Sequence, residues 1–234
     1  VAAMADVEWD MKVEDEPDLA DGPVWCLTSH QDLGSSRLQL HLERSTKRLL
    51  HYTHFSDEAL MLAKEARCNA CGLILLTETS DGLLLLERSN TGPSLRLLPC
   101  GSTLSSASLL EAVGQALATF GPLAGGSSSA AALGSARLLA VLDVGEDTPE
   151  GHRHELVVGV RLPLTAEEVQ KACKEPSSVE QALLFLRFPG VEAPAASPEL
   201  PCAGELQDLL AEDGGKLPEM QRRALQLLLA LRAA

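Results

Sequence analysis

The sequence predicts a mixed α/β fold. Three observations carry that prediction: short apolar runs set around turn residues, a helical apolar stripe that follows the first of them, and later strand-like runs alternating with capped helices. Composition permits it, because 45% hydrophobic residues with 22% charged residues support a buried core and exclude global disorder. Aromatic residues are only 3%, so the core must come from Leu, Val and Ala, and stacking platforms for single-stranded nucleic acid are scarce.

The elements follow in chain order. Between Asp6 and Asp21 stand eight acidic residues and one Lys, which predicts a solvated, disordered acidic arm over residues 1–23. Residues 24–67 read as a strand and helix segment. Leu38, Leu40 and Leu42 alternate with polar residues and Leu49-Leu50 follows, giving one or two strands joined by Gly34-Ser35-Ser36 and Ser45-Thr46-Lys47. Ser56, followed by Asp57 and Glu58, is a helix start signal and predicts a short helix to about residue 66.

The main domain is expected over residues 68–188. Apolar runs at 72–77 and 83–86 flank Asp81-Gly82, and that pair tolerates the positive φ angles of a tight hairpin turn. A polar loop at 89–94 leads to a strand at 95–98, then Pro99-Cys100-Gly101 and a helix over 107–120. Leu109, Val113, Leu117 and Phe120 share one face of that helix and should bury against a sheet. The Gly, Ala and Ser of 121–135 predict a flexible loop. It lacks the Gly-Lys-Ser/Thr of a phosphate-cradling loop.

Two further strands are expected at 137–144 and 155–164. The capping boxes Thr165-x-x-Glu168 and Ser178-x-x-Gln181 then predict helices at 166–174 and 182–187. Proline-rich residues 189–204 read as a linker, and 205–234 as two C-terminal helices, the second a packing helix carrying Leu225, Leu228, Leu229 and Leu231.

A net charge of -14 repels phosphate backbones, so long nucleic acid is not an expected partner. No apolar run is long enough for a membrane span, and the acidic start is unlike a secretory signal. Six scattered cysteines do not form a disulfide framework, which suits an intracellular and most simply cytoplasmic setting.

The order hairpin, strand, Pro-x-Gly, helix, strand, strand, helix resembles the Nudix hydrolases, and Leu98-Pro99-Cys100-Gly101 is similar to the entry of their signature, G-x5-E-x7-R-E-U-x-E-E-x-G-U, where U is bulky and apolar. The resemblance implies an α/β/α sandwich with a mixed sheet. It also implies a pyrophosphohydrolase that uses Mg2+ or Mn2+, held by glutamates, on a nucleoside-diphosphate-linked substrate such as an mRNA cap. Laid without a gap from Gly101, the apolar positions fall on Leu117 and Leu123, but the chemical positions fall on Ala107, Gln115, Ala116, Thr119 and Phe120. Those side chains offer a hard cation no oxygen ligands of the needed kind. The expectation is a catalytically impaired module, without a cofactor, that works by binding a protein partner or a nucleotide-like small molecule. The alternative is a divergent hydrolase that draws on Glu111, Glu155 or Asp143 for its Mg2+ or Mn2+.

Other residues suggest ligand contacts. Arg88, at the end of a strand, is placed as the resemblance would place a phosphate-binding group, with Gly101 opening the signature. His152 and His154 flank Arg153 in a small basic cluster. His51-x-x-His54 and Cys68-x-x-Cys71 have ligand types that suit Zn2+, although a helix should separate the pairs and Cys71 opens a buried strand. The same Cys-x-x-Cys lacks the context of a thioredoxin-like redox motif.

Overall fold

The structure is a computed structural model, and it describes residues 1–16, 20–34, 37–56, 61–62, 67–88, 95–97, 104–105, 108–120, 127–144, 153–173, 183–187, 206–210 and 217–233. The expected helix at 57–66 and linker at 189–204, the segments 89–94, 98–103 and 121–126, and the second capping box lie wholly or mostly outside them. The chain is mixed α/β. It divides into two compact units, the first drawn from Val1–Gly72, Thr103–Ala107 and Asp143–Glu155, the second from the remainder.

In the first unit, the antiparallel strands β1 (Pro23–Asp32) and β2 (Leu38–Thr46) pair from Pro23 opposite Thr46 to Asp32 opposite Leu38, with one irregularity between Leu27 and Ser29. Gly34 makes the turn at φ 71, a conformation that L side chains rarely adopt, and its N–H donates to Asp32 Oδ1 at 2.8 Å. Leu49 and Leu50, expected in a strand, lie instead in α2 (Lys47–Phe55). Thr46 decides this locally, because its Oγ1 accepts the Leu49 N–H at 3.2 Å and caps the helix. Leu49 and Leu50 then pack with Cys26 on a small core of Val24, Cys68 and Ala70.

The acidic run is not an unstructured arm. Residues Ala2–Asp15 form α1, which buries Ala5 and Trp9. Its anchors come from α2: the Tyr52 hydroxyl donates to Met4 Sδ at 3.4 Å, Arg48 lies 2.9 Å from Asp6, and the His51 ring meets Trp9 edge-on. Charges that repel one another along the chain are here partly met by the Arg48 guanidinium, which reaches both Asp6 and Asp21.

The six-stranded sheet is built from β3 (Cys71–Glu78), β4 (Leu84–Arg88), β5 (Leu95–Leu97), β6 (Arg137–Val144), β7 (Arg153–Arg161) and β8 (Leu183–Leu186). Neighbours run β5-β4-β3-β7-β6, and β8 pairs with β4. The hairpin between β3 and β4 turns at Asp81-Gly82 with Gly82 at φ 82, as the sequence predicts. Asp81 does more than turn, since its Oδ1 accepts the Ala166 N–H at 3.1 Å at the start of α5 (Ala166–Cys173). The capping box of α5 forms as expected: Thr165 Oγ1 accepts from Glu168 N at 3.3 Å while Glu168 Oε2 accepts from Thr165 N at 2.8 Å.

Two segments depart from expectation. Residues 183–186 form a strand where a helix was predicted, pairing antiparallel with β4 from Leu84 opposite Leu186 to Glu87 opposite Leu183. All four residues of β8 are buried, and an apolar run covered on both faces suits a strand. Ser127–Gly134 forms α4 where a loop was expected; its Ala130-Ala131-Ala132 favours helix once the glycines are passed.

The main core joins Ile74, Leu76, Leu84, Leu86, Leu97, Val157 and Leu186 to Leu209 of α6 (Leu206–Leu210) and to Ala224, Leu225 and Leu228 of α7 (Glu219–Ala233). Gln221 fixes α7 on the sheet by accepting the Leu97 N–H at 2.7 Å through Oε1, and Arg232 pairs with Glu78 at the far end of the helix. So α7 is a packing helix through Leu225, Leu228 and Leu229, while Leu231, expected with them, is half exposed.

Candidate functional site

The helix on which the resemblance would place a metal site is α3 (Leu109–Thr119). Ser108 starts it, with Oγ accepting the Glu111 N–H at 3.1 Å, which satisfies one of the donors left over in a first helical turn. Val113, Leu117 and Phe120 are buried on one face, so the predicted stripe is the packing stripe. Glu111 is the helix's one carboxylate, exposed in the first turn. Gln115, also exposed, stands where the signature has Arg, and Ala116 where it has Glu. One carboxylate on an open helix surface does not fit a divalent cation, which needs several oxygen ligands converging.

A different group gathers in the first unit. Leu104 ties two strands together there: its N–H donates to the Cys71 carbonyl at 2.7 Å, and its own carbonyl accepts the Trp25 N–H at 2.9 Å. Beside Cys71 stands Gly72, and the carboxylate of Glu155 fills the space a Cβ on residue 72 would need. Glu155 is buried, as is Cys71. Burial pushes the Cys71 thiol up to about 11, with the Glu155 charge adding to that effect. Next along β7 is His154, half-buried, with Nδ1 3.7 Å from Oδ1 of the largely exposed Asp143 on β6. Successive strand residues face opposite ways, so His154 and Glu155 serve different faces of β7.

Of the residues the sequence singles out, Asp143 and His154 are therefore brought together, and Glu155 lies one residue on. Glu111 belongs to the other unit. Arg88 ends β4 as an exposed residue in register with Leu95, a place on the open surface. Gly101 and His152 lie outside the described residues. Sequence reading passed over Glu87, which is buried opposite Arg96 on β5 and whose carboxyl is pushed up by burial against the pull of that arginine.

The four zinc candidates are not gathered. His51 Nδ1 lies 3.4 Å from Glu8 of α1, while His54 Nε2 donates to the Cys68 carbonyl at 2.7 Å, since a carbonyl can only accept. Cys68 turns to Cys26, with the two sulfurs 3.4 Å apart, and not to either histidine. The two rings are engaged elsewhere, His51 with α1 and His54 with the backbone of Cys68. Among the described residues no group of three or more His, Cys, Asp or Glu stands close enough to hold a metal ion. Nor is any described helix long and apolar enough to cross a membrane.

Comparison with known proteins adds no family: no protein-family model matches the chain, and no curated protein matches it significantly.

Proposed function

We infer that this protein is a catalytically impaired module of Nudix-like α/β/α architecture that acts by binding, chiefly to a protein partner. One observation carries the reading. On α3, where the resemblance calls for a glutamate cluster, the only acid is the exposed Glu111, and the inward positions are given to packing through Val113, Leu117 and Phe120. A helix so used supports no metal-assisted cleavage of a pyrophosphate.

The binding role draws support from α1. Met4, Val7 and Met11 are exposed along it, spaced so as to share a face, among Asp6, Asp10, Glu14 and Asp15. Apolar residues ringed by acids suit a protein surface that offers apolar and basic groups together. The C-terminal helix, by contrast, packs Leu225, Leu228 and Leu229 on the core.

A second reading, a divergent hydrolase, is favoured by Glu155 alone. A buried carboxylate held against a glycine, one residue from His154, is the placement that supports it. Incubating the pure chain with dinucleoside polyphosphates, nucleotide sugars, coenzyme A and cap analogues in Mg2+ or Mn2+ separates the two readings. Impairment predicts product no faster than in the protein-free control. Turnover of about 1 per second or more, abolished in Glu155→Gln or Glu111→Gln, would establish the hydrolase instead.

A further inference from the structure

The Cys-x-x-Cys spacing draws the eye to Cys68 and Cys71, yet the structure joins Cys68 to a cysteine 42 positions away in the chain. Cys26 on β1 and Cys68 lie with their sulfurs 3.4 Å apart. The chain is arranged to present Cys68 there. Ala70 bridges Cys26 in antiparallel fashion, and the Ala70 N–H donates to the Cys68 carbonyl at 3.0 Å, a three-residue turn that folds Cys68 back toward β1. Its backbone is then pinned on both sides, the N–H to Thr53 Oγ1 at 3.0 Å and the carbonyl to His54 Nε2 at 2.7 Å. The sulfur also lies 3.2 Å from Ser45 Oγ.

We propose that Cys26 and Cys68 are a redox-responsive thiol pair that a hydroperoxide closes into a reversible disulfide. Only the last part of the approach to bonding distance, about 2.05 Å between sulfurs, remains to be made. The two sulfurs have different parts to play. A hydrogen bond from the Cys26 thiol, against the effect of burial and with the Ser45 hydroxyl helping, holds Cys68 below an ordinary thiol, while that same contact and burial push Cys26 up. Cys68 is thus the more readily ionised of the two and the one that attacks, and Cys26 supplies the resolving thiol.

The chemistry balances in two steps. The Cys68 thiolate attacks one peroxide oxygen, the O–O bond breaks, and the leaving hydroxide takes a proton to become water, leaving a sulfenic acid on Cys68. The Cys26 sulfur then attacks the Cys68 sulfur. The S–O bond breaks, the departing oxygen leaves as a second water with the Cys26 proton, and the disulfide forms. Two thiols lose two electrons and hydrogen peroxide gains them. The new bond would lock β1 to the segment that leads into Cys71 and Gly72.

The test treats the full chain with graded hydrogen peroxide, blocks remaining thiols with an alkylating agent, and maps peptides by mass spectrometry. The proposal expects a linked peptide joining Cys26 to Cys68, lighter by two hydrogens and restored by dithiothreitol, at doses that leave Cys71 free to be alkylated after unfolding. In Cys26→Ser, where the second step is blocked, dimedone should label Cys68 at least ten-fold more than Cys71. Cys173, which is exposed, serves as the internal dosimeter. If Cys173 is oxidised while Cys26 and Cys68 remain unlinked, or if Cys68 links to Cys71 instead, the proposal fails. The wild-type map decides this even if the serine variant does not fold.

Discussion

The carboxylate of Glu155 occupies the space that a β-carbon on Gly72 would require. Glycine at the second position of a buried strand is otherwise a poor choice, because it leaves a gap and costs backbone entropy. Here it makes room for a buried acid on β7.

Gly72→Ala should therefore destabilise the protein, by about 1–3 kcal/mol if the strands shift to relieve the overlap. The cause is specific, so Gly72→Ala combined with Glu155→Ala should cost clearly less than the sum of the two single changes. Urea denaturation of all four proteins measures this. Additive costs would mean that the two residues do not meet.

Leu225 and Leu231 both sit on α7, but one is buried and the other is half exposed. Leu225→Ala should cost about 2–5 kcal/mol, whereas Leu231→Ala should stay within about 0.5 kcal/mol of the parent. Thermal unfolding distinguishes them. Equal, small effects would show that α7 is not part of the core.

Burial, with Lys12 nearby, lowers the His51 pKa below its ordinary 6.5, and Glu8 opposes this without reversing it. A histidine whose folded pKa is depressed stabilises the fold while it is neutral. That contribution is present above pH 6.5 and is lost as pH falls through the lowered value. The packing of α1 on α2 should accordingly loosen in mild acid, and His51→Gln should flatten the dependence. Trp9, whose ring meets His51 at 6.2 Å between centroids, is the natural reporter, read by fluorescence in a Trp25→Phe background. A pH profile unchanged by His51→Gln would contradict the assignment.

Much of the fold was legible where the signal is local. Asp81-Gly82 specifies its hairpin by conformational preference, Thr165 and Glu168 cap α5 through bonds three residues apart, and α3 shows its buried face in the spacing of Val113, Leu117 and Phe120. The signal was lost where the partner is distant. Nothing near Leu183–Leu186 announces that β4 will pair with it, and the preceding Ser178-x-x-Gln181 imitates a helix start. The charges of α1 suggest repulsion until Arg48 comes alongside.

The candidate site follows the same division. That α3 holds a single carboxylate, Glu111, could be read directly from its residues. The Gly72–Glu155 contact and the Cys26–Cys68 pair could not, since each depends on residues far apart in the chain being folded together. Glu87, masked in sequence by its neighbour Arg88, was missed because only the structure shows which of the two is buried.

The claim on which the functional reading rests is that α3 offers a divalent cation no grip. Titrating the pure chain with Mn2+ and following the free ion by electron paramagnetic resonance tests it most directly. The reading predicts that the free-ion signal rises in proportion to added Mn2+ through the micromolar range, with the same slope in Glu111→Gln. Saturable uptake of one Mn2+ per chain in that range, lost in Glu111→Gln, would contradict it.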